Sequence, residues 1–260
     1  MKKTTRILAA LLALILVASL CGCGAKKKDV YAVEAGSAGE AAALENGFEI
    51  ISVETQAAAL MEVDAGTSGN AIIDSLMAGA MVGEGTSYPD LVVTDTKLTE
   101  ELYGAACRKG SDLAAYINEV FAETYADGTL QAIAKTYGVQ EALVEQPAPA
   151  GFTAAAGGDV EYILGKGTLI VGITDFAPMD YKDANGEWIG FDADMARIVA
   201  DKLGVEIEFI EIDWSKKVFE LDAKAIDVVW NGMTLTNEML AAAECTNAYC
   251  NNAQVVVTKG

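Results

Sequence analysis

Histidine is absent from this chain of 260 residues. That removes the side chain most often used for proton transfer near neutral pH, along with His-based acid–base pairs and His-containing metal sites. Basic residues are scarce as well: 18 Lys and Arg stand against 38 Asp and Glu, a formal net charge of −20. So acidic a chain repels phosphate and makes nucleic acid a poor partner. Five cysteines occur, none at metal-ligand spacing, so neither a metal nor a cofactor is expected. The phosphate-binding patterns G-x-x-x-x-G-K-[ST] and G-x-G-x-x-G are missing, as is the G-x-S-x-G nucleophile elbow. No pair of acids stands out from the acidic background as an acid–base couple, and an enzyme is not expected. What remains is a 52% hydrophobic composition, enough for a substantial core.

The chain opens Met1-Lys2-Lys3-Thr4-Thr5-Arg6, continues with the apolar run Ile7 to Leu20, and reaches Cys21-Gly22-Cys23-Gly24. A basic start, a short apolar centre and small residues at its end predict a secretory signal over residues 1–22. The run is too short to span a bilayer comfortably. Leu20-Cys21-Gly22-Cys23 resembles the bacterial lipobox, which makes Cys23 the expected lipidated first residue of the mature chain. Its acyl chains would anchor the protein to the membrane, with residues 23–29 as a tether. Of the remaining cysteines, Cys107 reads as core. Cys245 and Cys250 could pair, though no structural disulfide is expected.

Strand and helix patterns alternate from Asp29 onward, predicting an α/β fold with mostly parallel sheets. The first strand runs into Glu34-Ala35-Gly36-Ser37-Ala38-Gly39-Glu40 and a helix start, an anion-friendly arrangement of free N–H groups. Asn70 to Asp74 is a buried strand ending in an acid, and Asp74 is either an N-cap or a ligand contact. Residues 146–158 form a Pro/Gly/Ala linker by composition. Further on, the strand ending at Trp230 opens into Asn231-Gly232-Met233-Thr234-Leu235-Thr236. That is either an ordinary turn with Thr236 as N-cap or a binding loop at a sheet edge.

Several motifs occur in order. They are Gly167 to Ile173, Phe176-Ala177-Pro178-Met179, Gly190 to Ala196, Leu203-Gly204-Val205, Trp214, Ile226-Asp227, Gly232 to Thr236, Tyr249 and Gln254 to Val257. Together they resemble the opening half of bacterial extracellular solute-binding protein family 3, the polar amino acid class of ABC-transporter lipoproteins. The segments Val33 to Ser37, Ile72-Ile73-Asp74, Tyr103 to Gly110, Ile117-Asn118 and Asp127 to Leu130 are similar to that family's second half. The order is inverted. The resemblance therefore implies a circularly permuted, two-lobed periplasmic-binding-protein (type II) fold with a ligand cleft between the lobes. Residues 30–98 are expected to form the family's second lobe, 99–103 a hinge, and 104–145 closing helices packed on the first lobe. Residues 146–158 would be the join and 159–260 the first lobe. This division leaves one covalent crossing between the lobes, and hence a softer hinge than two would give.

The same resemblance implies an extracellular substrate-binding component of an ABC importer, working as a monomer with a membrane permease. Its ligand would be an amino acid or a related amine-bearing solute. Phe176 and Trp214 match the aromatic walls around the ligand, and Asp74 matches the acid that takes its α-ammonium. Gly232, Thr234 and Thr236, with Ser37 and Ala38 opposite, match the groups holding both ends of an α-amino acid. Asp175 lies near the wall and could touch a polar side chain. Met239 departs from the family: it stands where an arginine usually grips the α-carboxylate, and a bidentate guanidinium is not replaced by a thioether. Either backbone N–H groups suffice for the carboxylate, or the ligand is a cation without one, as a sensor or receptor lipoprotein could bind.

Overall fold

A computed structural model describes residues 29–260. The signal segment and Cys23 lie outside the described residues. Among the described residues no helix is long and apolar enough to cross a membrane.

The first lobe in chain order is built from β1 (Val30–Glu34), α1 (Ala38–Glu45), β2 (Glu49–Val53), α2 (Gln56–Ala65), β3 (Asn70–Asp74), α3 (Ser75–Met81) and β4 (Leu91–Lys97). Its strands alternate their apolar side chains between two helical layers. Ala32, Ile73 and Leu60 of α2 meet on one face; Val33, Ile72 and Ala43 of α1 meet on the other. Ser37 and Thr55 start α1 and α2 by accepting the N–H groups of Glu40 and Ala58, so each helix begins at the carboxyl end of a strand.

The chain then crosses through β5 (Glu101–Tyr103) into β6 (Ala106–Cys107), α4 (Leu113–Asp127) and α5 (Thr129–Thr136). After residues 146–158 come α6 (Asp159–Lys166), β7 (Thr168–Ile173), the hairpin β8 (Tyr181–Lys182) and β9 (Trp188–Ile189), α7 (Phe191–Leu203), β10 (Glu206–Glu211), α8 (Lys217–Asp222), β11 (Val228–Val229), α9 (Asn237–Ala242) and β12 (Glu244–Cys245). Last are β13 (Cys250–Asn252) and β14 (Gln254–Lys259). Leu113, Ile117 and Phe121 of α4 share a core with Leu169 and Val171 of β7 and Val199 of α7. Ile226, Val229, Leu221 and Met239 fill the opposite face of the same sheet. Cys107, Cys245 and Cys250 are all free thiols.

Each lobe holds one five-stranded sheet, ordered β2-β1-β3-β14-β4 and β10-β7-β11-β6-β12. In both, three parallel strands are followed by an antiparallel strand delivered from the other lobe. β6 is delivered by β5, and β14 by β13. The two deliveries run side by side, with β13 antiparallel to β5.

This arrangement corrects the expectation that 159–260 lie wholly in one lobe. Gln254 to Lys259 leave that lobe and insert between β3 and β4. Val255, Val256 and Val257 are buried on both sheet faces, as a central strand requires. Such a run carries no address in sequence, because either sheet could accept it. The lobes are therefore joined by two covalent crossings, not one, and the physical basis for an unusually soft hinge is gone. Residues 146–158 are also held. Ala150 and Gly151 donate N–H groups to the Glu119 carboxylate (3.0 and 2.9 Å), and Phe152 meets Tyr116 edge-on at 5.1 Å.

Candidate functional site

The carboxyl ends of the parallel strands in both sheets face the seam between the lobes, where side chains and helix-starting loops converge without a covering element. There they leave a cleft of about 730 Å³. Ser37, Ala38 and Asp74 line it from one lobe; Phe176, Trp214, Gly232, Thr234, Thr236 and Met239 line it from the other. Asp175 is not brought in: it is exposed and outside the lining, because the turn after β7 directs Phe176 inward instead. A second cavity, of about 430 Å³, opens on the same seam beside Ala35, Thr55, Glu211 and Ser215.

The lobes touch at Gly36, whose φ of +72° and lack of a side chain admit the Ser215 backbone; an added Cβ would sit 2.8 Å from Ser215 Cα. Gly232 plays the matching part on the other jaw. Its φ is +56°, and any Cβ would strike the Phe176 ring. Its N–H donates to Asp192 Oδ2 at 2.6 Å, which pins the loop to the start of α7. Thr236 caps α9 by accepting the Met239 N–H (3.1 Å), so the turn reading of this loop holds while the loop also lines the cleft. Thr234 Oγ1 donates to Glu101 in the hinge at 2.9 Å.

Asp74 is buried and heavily engaged. Its Oδ1 accepts from Tyr103 Oη (2.7 Å), Asn252 Nδ2 and Gln254 Nε2 (3.0 Å), and its Oδ2 accepts from Gln56 Nε2. Burial, then the charge of Glu101, push its pKa up to about 7 against those hydrogen bonds. The aromatic wall is continuous with this network, since Phe176 meets Tyr103 edge-on at 6.4 Å.

Two lining residues escaped the sequence reading. Glu34, at the end of β1, is 3% exposed, and its Oε1 has no hydrogen-bond partner. Lys217, on α8, reaches across the seam: its Nζ donates to Gly36 O at 2.9 Å and Trp214 O at 3.1 Å, and lies 4.8 Å from the Trp214 ring centre. Burial lowers its pKa. An acid at a strand end and a lysine in a helix are ordinary in sequence; only the cross-lobe fold gives them a common space.

The model of the family "Bacterial extracellular solute-binding proteins, family 3" matches residues 169–260. Over these residues the chain is similar to that family. The probable amino-acid ABC transporter-binding protein of Haemophilus influenzae is 38% identical over 93 residues, covering 35% of this chain and 36% of that protein. The arginine-binding extracellular protein ArtP of Bacillus subtilis is 33% identical over 96 residues, covering 36% and 37%. The chain thus aligns with little more than a third of the length of these relatives. Among solved structures, the arginine-bound truncated ArgBP of T. maritima is 38% identical over 31% of this chain and 39% of that one, with a TM-score of 0.31. An ancestral cyclohexadienyl dehydratase is 36% identical over 35% and 37%, with a TM-score of 0.32. The two sheets, their helical layers and the seam between them fit the two-lobed architecture that the sequence resemblance implies.

Proposed function

We propose that this chain is the extracellular substrate-binding component of an ABC importer, taking an amino acid or a related small amine-bearing solute by closure of its two lobes. One observation carries the reading: a cleft of about 730 Å³, within the range that suits small ligands, is lined from both lobes by strand-end loops. The match of residues 169–260 to the family model supports it, as do relatives whose names record amino-acid and arginine binding. In this reading Phe176 and Trp214 cover the apolar part of the ligand. Ser37, Ala38, Gly232 and Thr234 supply polar contacts. Lys217 provides the positive charge that Met239 cannot, toward a ligand carboxylate. The strand order of both sheets supports a permuted chain in which the family's second lobe comes first. Cys23 would carry the lipid anchor, a membrane permease would be the partner, and the chain would act as a monomer.

Thermal unfolding of the full-length chain with and without a panel of amino acids and small amines tests this. A ligand at a hundred times its Kd stabilises the folded state by about 2.7 kcal/mol, which raises Tm by several degrees. A panel in which no compound moves Tm would overturn the proposal.

A further inference from the structure

Two buried carboxylates share the inner wall of the cleft, and they differ in how their oxygens are used. Asp74 already accepts four donors from Tyr103, Asn252, Gln254 and Gln56, about the full capacity of a carboxylate. Glu34 is as deeply buried, yet its Oε1 faces no donor. A buried oxygen without a partner is costly, and a donor arriving in the cleft would remove that cost. The nearest cation of the chain does not do so. Lys217 directs two of its three ammonium donors to the carbonyls of Gly36 and Trp214 and makes no ion pair with Glu34.

Resting on the reading of the cleft as a ligand site, we propose that Glu34, rather than Asp74, is the specificity-determining residue that receives the ammonium of the bound solute. A proton moves in consequence. Burial, and then the charge of Asp74, push the Glu34 carboxyl up to about 8, while Lys217 and the Gln56 amide pull the other way. Glu34 is therefore mostly protonated at neutral pH. An ammonium seated against it favours the carboxylate, so the carboxyl O–H bond breaks, the proton leaves to solvent, and an ammonium–carboxylate pair remains. The other charged groups facing this space are Asp74 at the end of β3, Glu101 behind it in the hinge, Lys217 on α8, and Glu40, Glu45 and Glu238 on the rim.

Isothermal titration of the full-length chain with L-arginine, L-glutamine and putrescine, at pH 7 in phosphate and in Tris, reads this proton directly. Each probe that binds is expected to release about one proton, seen as a buffer-dependent apparent enthalpy. Affinity should rise about fifty-fold from pH 6 to pH 8 and then level. The isosteric variant Glu34→Gln should weaken binding about tenfold or more and abolish the buffer difference. Proton release by the unaltered chain stands as evidence even if the variant fails to fold. Binding without proton release, retained in full by Glu34→Gln, removes Glu34 from the site while leaving the binding function intact. Absence of binding by every probe overturns both.

Discussion

At the scale of single residues, the buried acids set how stability responds to pH. Glu34 rises to about 8, Asp74 and Asp192 to about 7, and Asp180 rises well above its ordinary range, burial being the first cause for each. A carboxyl whose folded pKa exceeds its unfolded value holds its proton more tightly in the native state. The stability this brings is full below the ordinary carboxylate range and is lost as pH rises through the folded pKa. The exposed Asp213 acts oppositely: hydrogen bonds from Lys216 and Ser215 hold it at about 2, and that contribution disappears only in strong acid. The expected Tm therefore peaks at about pH 4 and falls between about pH 4 and pH 8, less steeply in Glu34→Gln. Scanning calorimetry across that range checks this, and a Tm that rises from about pH 4 to pH 8 would contradict it. None of this was readable in a chain with 38 acidic residues. Asp74 stood out because it ends an apolar strand inside a recognisable motif. Glu34 ends one too, but what singles it out is an oxygen left unpartnered after folding, a property of space rather than of spacing.

At the scale of elements, the two loops that meet across the seam decide closure. Gly36 lies against Ser215 with a left-handed φ, and its carbonyl receives Lys217 from the other lobe. Gly36→Ala adds a methyl where the Ser215 backbone already sits and strains φ by roughly 1 kcal/mol or more. Because the strain is confined to the seam, Tm should drop by only a few degrees. Ligand affinity should fall about tenfold or more, since the same added methyl holds the jaws apart in the bound state. Small-angle scattering of the ligand-saturated variant should give a larger radius of gyration than that of the parent. An unchanged affinity would show that Gly36–Ser215 is not a contact of the ligand-bound form. Element existence was largely legible beforehand. Thr168 to Ile173 is a strand because branched residues alternate onto two buried faces, and α4 is a helix because Leu113, Ile117, Val120 and Phe121 recur at helical spacing up to Gly128. Partner choice was not legible: β14 is as clearly a strand, yet its sheet was misassigned, because pairing is decided by neighbours far away in sequence.

At the scale of the whole molecule, the two sheets have the same strand order, and each receives one strand from the other lobe. The order of the halves along the chain should then be interchangeable, provided a short connection can close the present ends. Tyr31 in β1 and Thr258 in β14 both register with Asn70, on opposite sides of β3, so these strands lie two strand spacings, about 10 Å, apart. A bridge of about four Gly/Ser residues spans that distance. Opening the chain within 146–158 removes the N–H bonds from Ala150 and Gly151 to Glu119, from Ala155 to Asp112 (2.9 Å), and the Phe152–Tyr116 contact. Net contributions of about 0.5–1.5 kcal/mol per hydrogen bond make this a loss of a few kcal/mol, set against two intact sheets and both hinge crossings. A re-ordered chain running from 159 to 260, through the bridge, and from 29 to 145 is therefore expected to fold. It should show an unchanged circular dichroism spectrum, a Tm lower by no more than several degrees, and the ligand profile of the parent. A re-ordered chain that stays unfolded would show that residues 146–158 do more than connect the two halves, and would remove the support that strand order lends to the permuted reading.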